Sequence, residues 1–203
     1  MLGIADYGAF CAAVLLFLAL PGPGNLALLT STAKGGLRAG LAATLGVIVG
    51  DQVLLWLAVA GVAALLAAYP TVFAAVQYAG AAYLGWLGLK LLVSRGGVAA
   101  AVPITPGRYA RQAFFITLLN PKAIVFYMAF FPLFIDPAAH RGAITFAAMA
   151  VTIAALTFAY GLIVCLLARA MGDEIGRRRR VAKALERLAG VFLIGFGLKL
   201  VAS

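Results

Sequence analysis

Six apolar runs follow one another along this chain, separated by short stretches that hold most of its charge. They span residues 7–30, 39–68, 72–93, 112–135, 142–171 and 185–202. Each is long enough to cross about 30 Å of hydrocarbon as a helix. Eight crossings would leave almost no loops. A soluble fold is excluded by the same arithmetic: 65% of the 203 residues are hydrophobic and only 11% charged, against roughly 25% charged in an ordinary soluble domain. A globule of this size cannot hide that much apolar surface in one core. Soluble enzymes, nucleic-acid-binding domains and disordered chains are therefore set aside. The expectation is an all-α membrane protein with six transmembrane helices, forming a single domain over residues 1–203.

Orientation follows from the placement of Lys and Arg. Lys34 and Arg38 lie in the first loop, and Lys90, Arg95, Arg108 and Arg111 in and beside the third. The fifth holds Arg169, Arg177, Arg178, Arg179, Arg180, Lys183 and Arg187. Thirteen cations thus belong to odd loops, while Arg141 and Lys199 are the two on the other side. Odd loops are expected in the cytoplasm and both termini outside. The net charge of +10 then reads as topology retention beside anionic lipid, not as a nucleic-acid footprint. Cys11 and Cys165 fall near opposite faces, so no disulfide is expected. The N-terminus opens on Asp6 and lacks a small-x-small site, which does not fit a cleavable signal.

The chain also resembles itself. Gly88-Leu89-Lys90-Leu91 recurs as Gly197-Leu198-Lys199-Leu200, and Tyr83-Leu84 as Phe192-Leu193. Pro23 and Pro121 each interrupt the first span of their half, and Arg38-Ala39-Gly40 is echoed by Arg141-Gly142. Three spans per half is an odd number, so the halves enter the bilayer from opposite sides. The expected architecture is a 3+3 inverted-topology repeat, with repeat one at about 1–98 and repeat two at about 108–203, as is common among secondary transporters.

The candidate substrate-binding residues lie where spans are broken or charged. Pro21-Gly22-Pro23-Gly24-Asn25 interrupts the first span. Proline lacks an amide hydrogen and clashes with the carbonyl four residues back, which frees the carbonyls of Phe17 and Ala19. Such groups belong against protein or a watery cavity, not lipid. Asn25 is placed to cap the half-helix that follows and turn its positive end inward. A simple packing kink is the plainer reading. In Asn120-Pro121-Lys122, Asn at an N-cap, Pro at the first helical position and a cation beside free amides describe a second anion site. Lys122 lies about ten residues into its span; snorkelling to the interface is the alternative.

Asp51 is the only acid deep in a span, about 18 Å along its helix at 1.5 Å per residue. An intramembrane carboxylate is a functional candidate by default; a structural ion pair with Lys122 is the competing account. It follows Gly46 and Gly50, a spacing that admits a close-packed helix. Gln52, Gln77, Tyr127, Thr157 and Tyr160 read as interhelical hydrogen-bonding groups. His140, the one histidine, lies in an outer loop with Asp136 and Arg141. No ligand cluster for a transition metal and no catalytic constellation is visible.

Pro21-Gly22-Pro23-Gly24-Asn25, then Lys34-Gly35-Gly36-Leu37-Arg38-Ala39-Gly40 and Gly50-Asp51, resemble the first half of the LysE/RhtB family of amino-acid exporters. Leu118-Leu119-Asn120-Pro121-Lys122-Ala123 resembles the motif opening that family's second half. The likeness spans essentially the whole chain. It departs at Gly24, where many members carry a polar residue, so that the polar side chain falls at Asn25. The resemblance implies proton-driven efflux of amino acids or close derivatives across the bacterial inner membrane.

The residues converge on the same mechanism. Half-helix ends near Asn25 and Asn120, with Lys122, suit a carboxylate. Asp51 suits an ammonium group, or a proton in its place, and this exclusion makes it the proton-coupling residue. An amino-acid substrate and membrane lipid are the expected partners; a homodimer is left open, and nucleic acid, cofactor and metal are not called for. A small-ion or metal-ion exporter of related fold needs more intramembrane ligands than one Asp. A membrane-embedded enzyme is disfavoured for want of catalytic groups.

Overall fold

The computed structural model describes residues 3–20, 22–68, 103–135 and 141–171, together with positions 86, 89, 92, 93, 187, 191, 194 and 195. The repeated Gly-Leu-Lys-Leu motifs, Pro21, Gln77, His140 and the Arg177–Arg180 run lie outside these residues, apart from Leu89. So do nearly all of the third and sixth spans.

The described part is helical. Helix α1 (Tyr7–Ala19) starts at Asp6, whose carboxylate accepts from the Ala9 amide at 2.9 Å. A break at residues 20–22 separates it from α2 (Pro23–Ala68). At 46 residues, a straight α2 would run about 69 Å, twice the hydrocarbon thickness. It is not straight. Gly35 (φ −137°, ψ 15°) and Gly36 (φ 68°, ψ −166°) leave helical geometry, and the Gly36 conformation is open to residues without a Cβ. The chain turns back there: a Cβ at Gly40 would meet the Thr32 hydroxyl, although eight residues of straight helix would hold the two about 12 Å apart. The first polar loop is therefore a two-glycine hinge between arms 23–34 and 37–68.

The second half begins with α3 (Tyr109–Leu118), breaks at Leu119-Asn120, and resumes as α4 (Pro121–Val125). A π-helical turn (Phe126–Phe130) and a 3-10 turn (Phe131–Phe134) follow. Pro132 has no amide hydrogen, so a regular ladder cannot run through this stretch. Helix α5 (Ala143–Met171) completes the set. Among the described residues, two helices are long and apolar enough to cross a membrane, Pro23–Gly61 and Ala143–Ala170. Their outward faces carry Leu45, Val49, Leu57, Val151 and Ile163, each more than half exposed. Such faces suit lipid rather than water.

The second arm of α2 is the central post. Gly46 and Gly50 bring α3 against it: a Cβ at Gly46 would land on the Ala110 carbonyl oxygen, and one at Gly50 would lie 2.8 Å from Thr117 Cβ. On another side, Gly161 of α5 admits Thr44. Gln52 Nε2 donates to the Ala150 carbonyl at 3.1 Å, an interhelical bond as its sequence context suggests. Chain ends and turns sort into two groups. Ile4 bridges to Ile135, and the Ala5 amide donates to the Phe134 carbonyl at 3.0 Å. At the opposite end, Lys34 Nζ donates to the Ile104 carbonyl at 2.8 Å, and Gly35 abuts Tyr109. The N-terminus thus lies with the end of the fourth span, and the first turn with the segment before α3. Cys11 and Cys165 are both free thiols.

Among the described residues, two apolar clusters fill the interior. One joins α1, the π and 3-10 turns and α5 through Phe10, Phe131, Met149 and Ile153. The other joins both arms of α2, α3 and α5 through Leu28, Ala43, Ala113 and Cys165. Along the second arm of α2, Val47 belongs to one cluster and Leu55 to the other. Asp51 is the i+4 position between them, on the same inward stripe.

Candidate functional site

Both helix breaks open on one cavity of about 40 Å³, set between the two apolar clusters. By volume it holds about three waters. Its polar lining includes Gly24 and Asn25 from the first break, Asn120 and Lys122 from the second, and Asp51 from the post. Five of the nine sequence-derived site residues therefore meet here. Gly22 stands just behind, with a hypothetical Cβ 3.4 Å from Lys122 Nζ. Pro23 begins α2 but is exposed and does not line the cavity. Pro121 occupies the first turn of α4 as its missing amide favours.

The second break has the expected local chemistry. Asn120 caps α4, its Oδ1 accepting from the Lys122 amide at 3.0 Å. The first break does not. Asn25 lies inside α2 and leaves that helix's N-terminal amides alone; Nδ2 donates backwards, to the Leu18 carbonyl at 2.8 Å and the Leu20 carbonyl at 2.9 Å. Asn25 thus caps the carbonyl end of α1 and not the amide end of α2, which corrects the sequence expectation. The physical reason is proximity: the break folds the α1 terminus onto the first turn of α2, so carbonyls left without amide partners lie within reach of Nδ2. Tyr160 from α5 hydrogen-bonds the Asn25 side chain as well.

Lys122 neither snorkels outward nor stands free. Its ammonium donates to the Phe17 carbonyl at 2.9 Å and the Leu20 carbonyl at 2.8 Å, and lies 4.5 Å from the centre of the Phe17 ring. The Phe17 carbonyl is one of the two that the proline-rich break releases. A cation from the second half therefore closes the negative end of a helix in the first.

Asp51 is 5% exposed and takes a hydrogen bond from the Tyr127 hydroxyl. Lys122 acts on it electrostatically, yet the hydrogen bonds of the ammonium go to backbone carbonyls. The structural ion pair is thus replaced by two separately bonded charges facing one cavity. Tyr127 reaches Asp51 from the π-helical turn, where consecutive Phe126 and Tyr127 are both buried. Such wide turns recur at functional sites.

The remaining wall is apolar and aromatic, with Val14, Phe17, Leu28, Val47, Phe126 and Ile153. The Phe17 and Phe126 rings stack with centroids 4.1 Å apart. Sequence reasoning missed Thr117 and Phe126 altogether, singled out Phe17 for its carbonyl but not its ring, and treated Tyr127, Thr157 and Tyr160 as ordinary interhelical groups. Thr117 had one signal, its place three residues before Asn120. Among the described residues, Asp51 is the one acid on the cavity and Lys122 the one base.

Known proteins resemble this chain along nearly its whole length. The chain is 34% identical to the leucine efflux protein of Salmonella typhimurium, over 98% of this chain and 95% of that protein. The leucine efflux protein of Klebsiella pneumoniae is 33% identical over the same shares. An uncharacterised membrane protein of Pseudomonas aeruginosa is 33% identical over 100% of this chain and 97% of its own length. No solved structure matches the chain significantly. Residues 15–203 match the model of the LysE type translocators, so this chain, with its two broken helices turned to one charged cavity, belongs to the LysE family of membrane translocators.

Proposed function

We propose that this protein is a secondary-active exporter of amino acids with neutral aliphatic side chains, driven by protons across the bacterial inner membrane. The observation that carries the reading is the pairing of one carboxylate and one ammonium with an apolar wall, in a cavity where both broken helices meet. A zwitterion needs both charges matched, and burying either unpaired is costly. The apolar wall suits an aliphatic side chain, and the single acid and single base among the described lining residues are both taken up by the zwitterion, leaving none of them to pair a charged side chain. The leucine efflux proteins related over nearly the full chain support the same substrate class.

Ionised Asp51 receives the substrate ammonium from the cytoplasm. On the outside a proton takes its place, the substrate leaves, and the neutral carboxyl returns. Lys122 supplies the cation for the substrate carboxylate by releasing the α1 carbonyls. Rocking of two inverted three-helix halves around this site alternates access. Membrane lipid surrounds the apolar outer faces.

Purified protein in liposomes loaded with unlabelled leucine is expected to accumulate labelled leucine by counterflow. Isoleucine and valine should compete, lysine and glutamate should not, and an imposed proton gradient should accelerate exchange. Absence of counterflow with every neutral amino acid overturns the reading.

The Lys and Arg distribution supports odd loops in the cytoplasm and both termini outside. A single cysteine at Ser203, on an otherwise cysteine-free background, should react with an impermeant reagent from the periplasmic side. Labelling only from the cytoplasm reverses the topology.

A further inference from the structure

Thr117 of α3 and Thr157 of α5 line the cavity, are 3% and 2% exposed, and have hydroxyl oxygens without a hydrogen-bond partner. A buried orphan hydroxyl is destabilising. In a helix the remedy is local, since a threonine hydroxyl can donate to the carbonyl four residues back. Other threonines of this chain do so: Thr32 to Leu28 at 2.8 Å, Thr44 to Gly40 at 3.0 Å and Thr152 to Ala148 at 2.7 Å. Thr117 and Thr157 forgo that bond although Ala113 and Ile153 are in place to accept it. Ser31 is also orphaned but does not line the cavity, so orphaning by itself does not mark a site. The combination of a lost local bond with a place on the cavity wall does.

Their positions suit the polar head of an amino acid. Thr117 abuts Gly50, with its Cβ 2.8 Å from where a Cβ on Gly50 would stand, next to Asp51 in sequence. Thr157 lies one helical turn before Tyr160, the partner of Asn25. A hydroxyl both donates and accepts, so it serves a carboxylate and an ammonium alike. We propose that the Thr117 and Thr157 hydroxyls are direct ligands of the substrate's ammonium and carboxylate groups. The inference rests on the cavity being the amino-acid site.

Valine replaces threonine with nearly the same shape and no hydroxyl, so the two roles of these groups separate cleanly. In Thr117→Val and Thr157→Val, the leucine concentration for half-maximal counterflow should rise about tenfold, as for loss of one hydrogen bond of about 1.4 kcal/mol. Melting temperature in detergent should hold or rise, because an orphan group has been removed. Thr117→Ser and Thr157→Ser should restore the affinity. Wild-type half-saturation in both valine variants overturns the inference, and so does a parallel fall of stability and affinity, which marks a structural bond. A working wild type with unchanged variants sinks this proposal alone; a wild type without leucine counterflow sinks the transport reading with it.

Discussion

Asp51→Asn is expected to uncouple export from the proton gradient while leaving the protein folded and inserted. The variant keeps the shape of the side chain and an oxygen to accept from the Tyr127 hydroxyl, but it cannot ionise. Loss of a charge-assisted bond of about 1.5–3 kcal/mol weakens ammonium binding by about 10- to 150-fold, and gradient-driven export should fall by at least that factor. Residual exchange should no longer respond to an imposed pH difference, because the exchangeable proton is gone. Stability should change little. Lys122 draws its hydrogen bonds from the Phe17 and Leu20 carbonyls, so it does not depend on Asp51 for them. Gradient-dependent efflux in wild-type proteoliposomes, repeated with Asp51→Asn, reads the effect. Unchanged proton dependence removes Asp51 from the mechanism.

Lys122→Met is expected to do what Asp51→Asn does not, and lose stability together with transport. Methionine keeps most of the volume and removes the ammonium. The Phe17 carbonyl at the α1 terminus then loses its donor, at about 1–3 kcal/mol, while the Leu20 carbonyl keeps the one from Asn25 Nδ2. Asp51 also loses the one base among the described residues of its cavity, and an uncompensated buried charge adds to the cost. Thermal unfolding in detergent should shift down by several degrees, and leucine binding should fail. Combining the two substitutions supplies a sharper measure. If the charges interact across the cavity, the double variant is more stable than the sum of the single effects implies, since neither charge is left alone. Strict additivity shows that Lys122 acts only as the cap of α1.

These two residues also show how sequence and structure divide the information. The two long apolar helices, the positions of both breaks, the deep acid and the close-packing glycines are legible from the chain. Each follows from a property that a residue carries with it: hydropathy over about 20 residues sets a crossing, a proline lacks its amide wherever it stands, and Gly46 and Gly50 have no Cβ in any fold. The i+4 stripe through Val47, Asp51 and Leu55 is local geometry of the same kind. The directions of the polar side chains were not legible. Lys122 meets Phe17 across 105 residues of sequence, and Asn25 turns back to α1 because the folded break presents carbonyls there. Tyr127 reaches Asp51 from a π-helical turn that no short-range pattern announced. Thr117 and Thr157 differ from the back-bonded threonines of this chain in what surrounds them, not in residue type. What a residue lacks is written in the sequence; which partner a donor finds depends on segments brought together by packing, and only the tertiary structure decides it.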